Sequence, residues 1–209
     1  MQKLLLLLTI ITVTFANLAQ ADTRWYQVDV LIFHYEHDRS NEAWPAVKTH
    51  PIPKGDIVYL NQGGGAAYKT LDQRDYLGRY VTSLQRNGMH VVFQQVWKQP
   101  ADSRIQMPFI RIDGGNSYGS RHELEGYLRI SAQRFLHVDA DLWWNEFNPA
   151  GSDNSSDDTE SYSVAPGLPR YEIGRNFELK ESRRMRSGEV HYLDSPVLGM
   201  LIRVTPTSP

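Results

Sequence analysis

Apolar and polar residues alternate along much of this 209-residue chain, and that alternation restricts the folds that it can adopt. Between residues 124 and 130, every second position is apolar or glycine: Leu124, Gly126, Leu128 and Ile130. Because successive side chains of a strand point to opposite faces, this pattern predicts a strand with one buried and one solvated face. Similar alternation at 136–142, 177–179 and 200–204 predicts a mostly antiparallel sheet.

One window has the periodicity of a helix instead. Residues 71–88 carry an apolar stripe at helical spacing, formed by Leu77, Tyr80, Val81 and Leu84. Asp72 is expected to cap the N-terminal end, and Asn87-Gly88 is typical of a C-terminal cap. We therefore expect one main helix, packed on one face of the sheet.

A strand is predicted on each side of this helix, at residues 25–35 and 89–97. In the second half of the first strand, the positions that point to either face are apolar, so that part is expected to be buried on both faces. The order strand, helix, strand favours a right-handed crossover with the two strands parallel in one sheet. The predicted fold class is α+β: a mostly antiparallel sheet with an early strand-helix-strand unit.

The N-terminal segment has the pattern of a signal peptide. Lys3 precedes an apolar run that extends to about Phe15, and Ala19-Gln20-Ala21 supplies the small-x-small pattern of a cleavage site. We expect residues 1–21 to be removed and residues 22–209 to be exported without a membrane span; an uncleaved anchor is the alternative. Because the sequence contains no cysteine, neither a lipidated N-terminus nor a disulfide is expected.

The remaining composition narrows the function classes. With 22 basic and 24 acidic residues, the chain has no excess of positive charge that would indicate nucleic-acid binding. Residues 22–209 are enough for a single α+β domain. Two polar stretches, 36–70 and 149–166, interrupt the alternation and are expected to be mobile loops.

Charged residues crowd around a Ser-Gly turn at positions 187 and 188. The alternation on both sides predicts a hairpin that carries Arg183, Arg184, Arg186, Glu189 and His191. Arg184 and Arg186 share one face, and guanidinium groups bind carboxylates through paired hydrogen bonds. Arg183 is expected to point inward and pair with a buried acid such as Asp29. The cluster is either a site for carboxylate ligands or a structural ion-pair network, and the sequence leaves both open.

A second candidate surface lies at the end of the strand that begins near residue 136. Trp143 and Trp144 are adjacent, so one is expected to enter the core and the other to be exposed beside Asp141. An exposed indole would stack against a sugar ring; the alternative is that both pack against the helix or a loop. His137, Asp139 and Asp141 alternate on one face, but a polar outer face gives the same pattern, so no metal ion is assigned.

Signatures of catalysis are lacking in the sequence. It contains no Gly-x-Ser-x-Gly, Ser-x-x-Lys or His-Glu-x-x-His motif. Glu189 with Asp139 or Asp141 would form a hydrolase pair only if their strands are neighbours. No catalytic residue and no cofactor is therefore predicted.

Three segments are similar to a known family: Trp25–Phe33, Arg134–Trp143 and Arg183–Pro206. They resemble the CsiV family, small periplasmic peptidoglycan-binding proteins of Gammaproteobacteria that are linked to cell-shape integrity. Ser195 stands where the family pattern has a histidine before the proline, so no role is carried over to that position. The resemblance implies a noncatalytic protein of cell-wall assembly and cell-shape maintenance, and it transfers no binding residues.

Peptidoglycan is therefore the expected ligand. The expected contacts are Arg184, Arg186, Glu189 and His191 for stem-peptide carboxylates, and Trp143, Trp144 and Asp141 for the glycan. Two alternatives stay open. One is a periplasmic adaptor that docks on an envelope protein regulating peptidoglycan synthesis; the other is a carboxylate-dependent wall hydrolase.

Overall fold

A computed structural model describes residues 23–36, 50–60, 62, 65–71, 76–102, 107–150, 161–163 and 165–209. The described strands are β1 (Arg24–Tyr35), β2 (Ile57–Val58), β3 (Met89–Ala101), β4 (Phe109–Tyr118), β5 (Arg121–Ala132), β6 (Leu136–Pro149), β7 (Tyr162–Ser163), β8 (Arg170–Met185), β9 (Val190–Asp194) and β10 (Leu198–Thr207). Helix α1 spans Gly78–Arg86, and a 3-10 turn spans Gly65–Tyr68. The predicted signal peptide, residues 1–21, lies outside the described residues.

The strands divide between two sheets. Sheet A has the order β3-β1-β10-β9, and sheet B has the order β2-β4-β5-β6-β8-β7. Every pairing is antiparallel except the short β2–β4 pair. The predicted α+β class with mostly antiparallel strands is confirmed. The division into two sheets was not foreseen, because alternation shows that a strand has one buried face but not which sheet it joins.

Two hydrophobic layers hold the fold together. The main core combines residues from both sheets, for example Val28 and Ile32 of β1 with Leu128 of β5. The second layer joins the opposite face of β1, through Leu31, to Leu77 at the start of α1. β1 is thus buried on both faces, as predicted. Leu77 is fully buried, which stabilises the packing of α1 on sheet A by about 1.5–3 kcal/mol.

The helix is shorter than predicted. It begins at Gly78, after Leu77, which has an αR backbone and makes no side-chain capping hydrogen bond. The expected cap Asp72 lies outside the described residues. The C-terminal end is as predicted: α1 ends at Arg86 with Asn87 as its C-cap, and Gly88 has a φ of 72°, a left-handed conformation that glycine adopts without a Cβ clash.

The predicted parallel crossover is wrong, because β1 and β3 are antiparallel neighbours. Tyr35 at the end of β1 pairs with Met89 at the start of β3, and the N–H of Glu36 donates to the Gly88 carbonyl at 3.0 Å. The chain therefore enters β3 at the end of sheet A where it left β1.

The predicted hairpin around residues 187 and 188 is also wrong. β8 and β9 do flank this turn, but β8 pairs with β6 in sheet B and β9 pairs with β10 in sheet A. Residues 186–189 thus form a corner between the two sheets, which we call the sheet corner. Gly188, with a φ of 80°, makes the tight change of direction without steric strain.

The two segments predicted to be mobile are only partly described. Their described parts include β2, the 3-10 turn and β7, and their mobility stays a prediction. Within the described ranges, no helix combines the length and apolarity that crossing a bilayer requires.

Candidate functional site

The outer face of sheet B, which points away from sheet A, carries most of the polar residues singled out in the sequence. Side chains of β5, β6 and β8 meet there in rows across the sheet. From one end, the rows are Ser131, His137 and Arg184; Arg129, Asp139 and Ser182; Tyr127, Asp141 and Lys180; and Glu125, Trp143 and Glu178. Arg184 and Asp141 therefore lie on the same face, as the alternation required.

Arginines gather around Phe135, an exposed aromatic residue in the turn between β5 and β6. The Phe135 side chain is 43% exposed. The guanidinium of Arg184 lies 4.5 Å from the centre of its ring, and that of Arg134 lies 5.4 Å away. Arg24 and Arg186 line an open cavity of about 280 Å³ beside the same ring. We call this group, Arg24, Arg134, Arg184 and Arg186 around Phe135, the arginine patch.

The charges of the arginine patch are largely uncompensated. In the part of the chain that the structure describes, neither Arg134 nor Arg184 has a carboxylate partner. Arg186 contacts Glu189 at 3.7 Å, but both side chains are mostly exposed, so this pair contributes little. Arg24 donates to the backbone carbonyls of residues 132 and 133. The patch therefore keeps an excess of positive charge and free N–H donors.

The charged residues on either side of the sheet corner, Arg183 and His191, have structural contacts. Nε2 of His191 accepts a hydrogen bond from the backbone N–H of Arg186 at 3.1 Å, which ties β9 to the end of β8. The predicted pairing of Arg183 with Asp29 is wrong. Its guanidinium donates to Glu181 at 2.7 Å and to the Tyr192 carbonyl at 2.6 Å. The buried Asp29 instead accepts hydrogen bonds from the side chain of Gln27 and the backbone N–H of residue 76.

A second cavity of about 280 Å³, here called the sheet B cleft, lies on the outer face next to the arginine patch. Its residues include Phe109, Tyr127, Arg129, Asp139, Asp141 and Lys180. Asp139 accepts hydrogen bonds from Arg129 at 3.1 Å and from Oγ of Ser182 at 2.7 Å. Asp141 accepts from Nζ of Lys180 and from the Trp143 indole, both at 3.1 Å.

These contacts explain the alternating His-Asp-Asp pattern of β6. The hydrogen bond with Asp141 raises the pKa of Lys180, and the lysine charge compensates that carboxylate. Asp139 is compensated by Arg129 in the same way. The pattern therefore belongs to a network of cross-strand ion pairs.

Neither tryptophan of the Trp143-Trp144 pair forms an exposed platform. The two do point to opposite faces, but each is only 7% exposed. Trp144 enters the core and stacks with His34 at 4.2 Å. Trp143 faces outward under the ring of His50, which stacks on it at 4.7 Å. The expectation of one exposed indole is wrong: both indoles are packed, but Trp144 packs in the core against β1 and not, as the alternative had it, against the helix or a loop.

Glu125, buried on the outer face beside Trp143, is the centre of a polar network. Burial alone would raise its pKa, but hydrogen bonds from His50, Arg121 and the backbone N–H of His122 outweigh that effect and lower the pKa to about 2. Arg121 donates through two nitrogens at 2.9–3.0 Å, and the N–H of His122 donates at 2.8 Å. This carboxylate is therefore ionised at neutral pH despite its burial.

Asp113 and His122 lie close enough to Glu125 to suggest a metal triad. However, Nη2 of Arg111 lies 2.6 Å from Oδ1 of Asp113, and Nη2 of Arg121 lies 2.9 Å from Oε2 of Glu125. Because these guanidinium groups and backbone donors occupy the carboxylate lone pairs, the group is better explained as an ion-pair network than as a metal centre.

The hydrolase pair considered from the sequence, Glu189 with Asp139 or Asp141, is not assembled. Glu189 lies in the sheet corner, whereas Asp139 and Asp141 lie on β6, which pairs with β5 and β8 in sheet B. β9, the strand that follows Glu189, belongs to sheet A. The condition that the strands be neighbours is therefore not met.

The structure brings together part of the sequence-predicted site and adds to it. Arg184, Arg186 and Asp141 share one surface, while Trp144 lies in the core. Arg134 and Phe135 were missed as site residues. Their signal in the sequence is an arginine next to an aromatic residue in the break between the alternating segments 124–130 and 136–142.

The fold and the site thus define a two-sheet protein in which, among the described residues, Arg134 and Arg184 lie beside an exposed aromatic ring without a carboxylate partner. A family model described as "Peptidoglycan-binding protein, CsiV" matches residues 3–207, nearly the whole chain. The protein belongs to the CsiV family of peptidoglycan-binding proteins. No curated protein and no solved structure matches the chain.

Proposed function

We propose that the protein binds peptidoglycan through the arginine patch, which holds the carboxylates of the stem peptides. The observation that carries this proposal is the pair Arg134 and Arg184, which converge on Phe135 without an acid partner among the described residues. Like charges at such a site repel each other, and an anionic ligand relieves that repulsion. A carboxylate also matches the forked N–H geometry of a guanidinium group.

Phe135 contributes to this site by orienting its neighbours. A guanidinium group over an aromatic face is attracted by about 0.5–1 kcal/mol at an exposed site. That attraction restricts two otherwise flexible side chains, so less conformational entropy is lost when they bind a ligand. Charge-assisted hydrogen bonds then contribute about 1.5–3 kcal/mol each.

We further propose that binding is noncatalytic and takes place in the periplasm, where the protein takes part in cell-wall assembly and cell-shape maintenance. The family description and the signal-peptide pattern support this location. The separation of Glu189 from the acids of β6 supports a role without hydrolysis.

The test is co-sedimentation of the chain from Asp22 onward with purified sacculi, compared with the double variant Arg134→Ala, Arg184→Ala. The matched control removes two exposed arginines of α1, Arg79→Ala and Arg86→Ala, which lie on the far side of sheet A. We expect the patch variant to bind about tenfold or more weakly, since each tenfold change is about 1.4 kcal/mol. The control is expected to bind as the unmodified chain does.

Two further measurements make the test decisive. Amidation of the sacculus carboxylates with a carbodiimide is expected to weaken binding of the unmodified chain but not of the patch variant. The supernatant is also assayed for released muropeptides, and release would contradict the noncatalytic role. A folded patch variant that binds normally would exclude the patch, and a chain that does not sediment at all would favour the adaptor function.

A further inference from the structure

We propose that the sheet B cleft is a second subsite, which binds one N-acetylated sugar ring of the glycan strand. The source of the ligand rests on the proposed peptidoglycan binding, but the chemistry of the cleft stands on its own. The cleft offers partly exposed apolar groups, charged groups that compensate each other, and direct continuity with the arginine patch. A carboxylate fits the patch, whereas a neutral, hydroxyl-bearing ring fits the cleft.

The cleft is polar but has no net charge to attract an anion. Both acids whose side chains lie on the outer face are paired: Asp139 with Arg129 at 3.1 Å and Asp141 with Lys180 at 3.1 Å. Such pairs still offer donors and acceptors at their solvent edges; the Lys180 side chain, for example, is 60% exposed. Hydroxyl and acetamide groups can bond to these edges without displacing a charge.

Phe109 and Pro53, both partly exposed, supply apolar lining for the face of a sugar ring. Tyr127 is only 8% exposed and packs edge-on against Phe109, and the guanidinium of Arg129 lies 4.4 Å from the centre of the Phe109 ring. A pyranose presents C–H groups on its faces and hydroxyls around its edge. Its face would pack on Phe109 and Pro53 while its edge reaches Asp141 and Lys180. At about 280 Å³, the cavity is near the lower bound for ligand pockets and suits a short ligand.

The two subsites are close enough to hold one continuous ligand. Ser182 in the cleft and Arg184 in the patch are two residues apart on β8 and point to the same face. That spacing is about 7 Å along the strand. A sugar in the cleft therefore places a peptide attached to it beside the arginines. The surface matches a single glycan unit with its own stem, bound across both subsites.

The test separates sugar from peptide by nuclear magnetic resonance of the isotope-labelled chain. One titration uses the trimer of N-acetylglucosamine, which has no carboxylate; the other uses an acylated D-Ala-D-Ala peptide, which has no sugar. We expect the sugar to shift backbone amide signals of residues 127–129, 139–141 and 180–182. The peptide is expected to shift those of residues 134–135 and 184–186.

Matched variants assign each subsite. Asp141→Asn with Ser182→Ala is expected to weaken sugar binding about fivefold to tenfold, which is about one hydrogen bond lost, and to leave peptide binding unchanged. Glu178→Gln is the control, because Glu178 contacts Lys180 but does not line the cleft. Thermal unfolding of each variant confirms that it remains folded.

The outcomes distinguish the two proposals. Peptide binding without any sugar-dependent shift, or sugar shifts confined to another surface, would overturn the glycan subsite and leave the arginine patch intact. If the sugar shifts signals of the cleft, and the patch variant still binds sacculi normally, the arginine patch is overturned and the glycan subsite is supported.

Discussion

Glu125 allows the energetics of the outer face to be measured directly. Its side chain is 3% exposed, and its pKa falls from the ordinary 4.5 to about 2 in the folded protein. A carboxyl group whose pKa is lower in the folded state stabilises that state above its unfolded pKa, and this contribution disappears as the pH falls through the folded pKa. The shift corresponds to about 3 kcal/mol of folding stability at pH 7.

The substitution Glu125→Gln mimics the protonated carboxyl group and keeps its shape. We expect it to lower the free energy of unfolding by about 3 kcal/mol at pH 7, and by only about 1.5 kcal/mol at pH 3, where part of the contribution has already been lost. Urea denaturation of both proteins at several pH values between 7 and 2.5 provides the measurement. The difference between the two proteins isolates Glu125 from the other carboxyl groups.

Glu178→Gln, on the same outer face but 30% exposed in its side chain, provides the control. Its effect is expected to stay within about 0.5 kcal/mol and to change little with pH. If the difference between the unmodified chain and Glu125→Gln does not shrink between pH 7 and pH 3, the ionised, hydrogen-bonded state assigned to Glu125 is incorrect.

Two other predictions concern the same sheet. Gly126→Ala is expected to lower the free energy of unfolding by about 2–4 kcal/mol, because its φ is 153° and a Cβ would collide with the backbone of Asp141. The control Gly167→Ala, at positive φ but with open space around it, is expected to lower it by about 1 kcal/mol in the same urea assay. Equal losses for the two variants would contradict the clash at Gly126. His50→Ala is expected to uncover Trp143, which a red shift of tryptophan emission and stronger iodide quenching would detect; unchanged quenching would show that the His50 ring does not shield the indole.

The order of strands along the chain could be predicted from local pattern, whereas their partners could not. Alternation identified β1, including its double burial, because that pattern depends only on which positions are apolar. The antiparallel return into β3 depends on the path of the chain between β1 and α1, and residues 36–70 of that stretch have no regular pattern. The sheet corner was missed for the same reason. Alternation placed Arg184 on the outer face and Met185 on the inner face, but alternation does not distinguish a hairpin from a change of sheet.

The candidate site was predictable where it depends only on which face of a strand a side chain occupies. Arg184 and Asp141 were expected on an outer face and are found there. The exposure of Trp143 was not predictable, since His50, a residue far away in the sequence, covers it. Arg134 joins the patch because the turn after β5 folds back on β8, a contact that requires the register of three strands.

The order of strands in the two sheets has a consequence for how the protein folds. In sheet B, β4, β5 and β6 follow one another directly and pair in sequence, so they can associate through short-range contacts. Sheet A joins the two ends of the chain: β10 lies between β1 and β9, and Val28 pairs with Val204. Until residues 198–207 arrive, one long edge of β1 has no partner and is prone to aggregate. Because Arg24 lies on β1 of sheet A and Arg184 on β8 of sheet B, the arginine patch is complete only when the two sheets have packed together, so a chain in which only sheet B has formed does not present the complete surface.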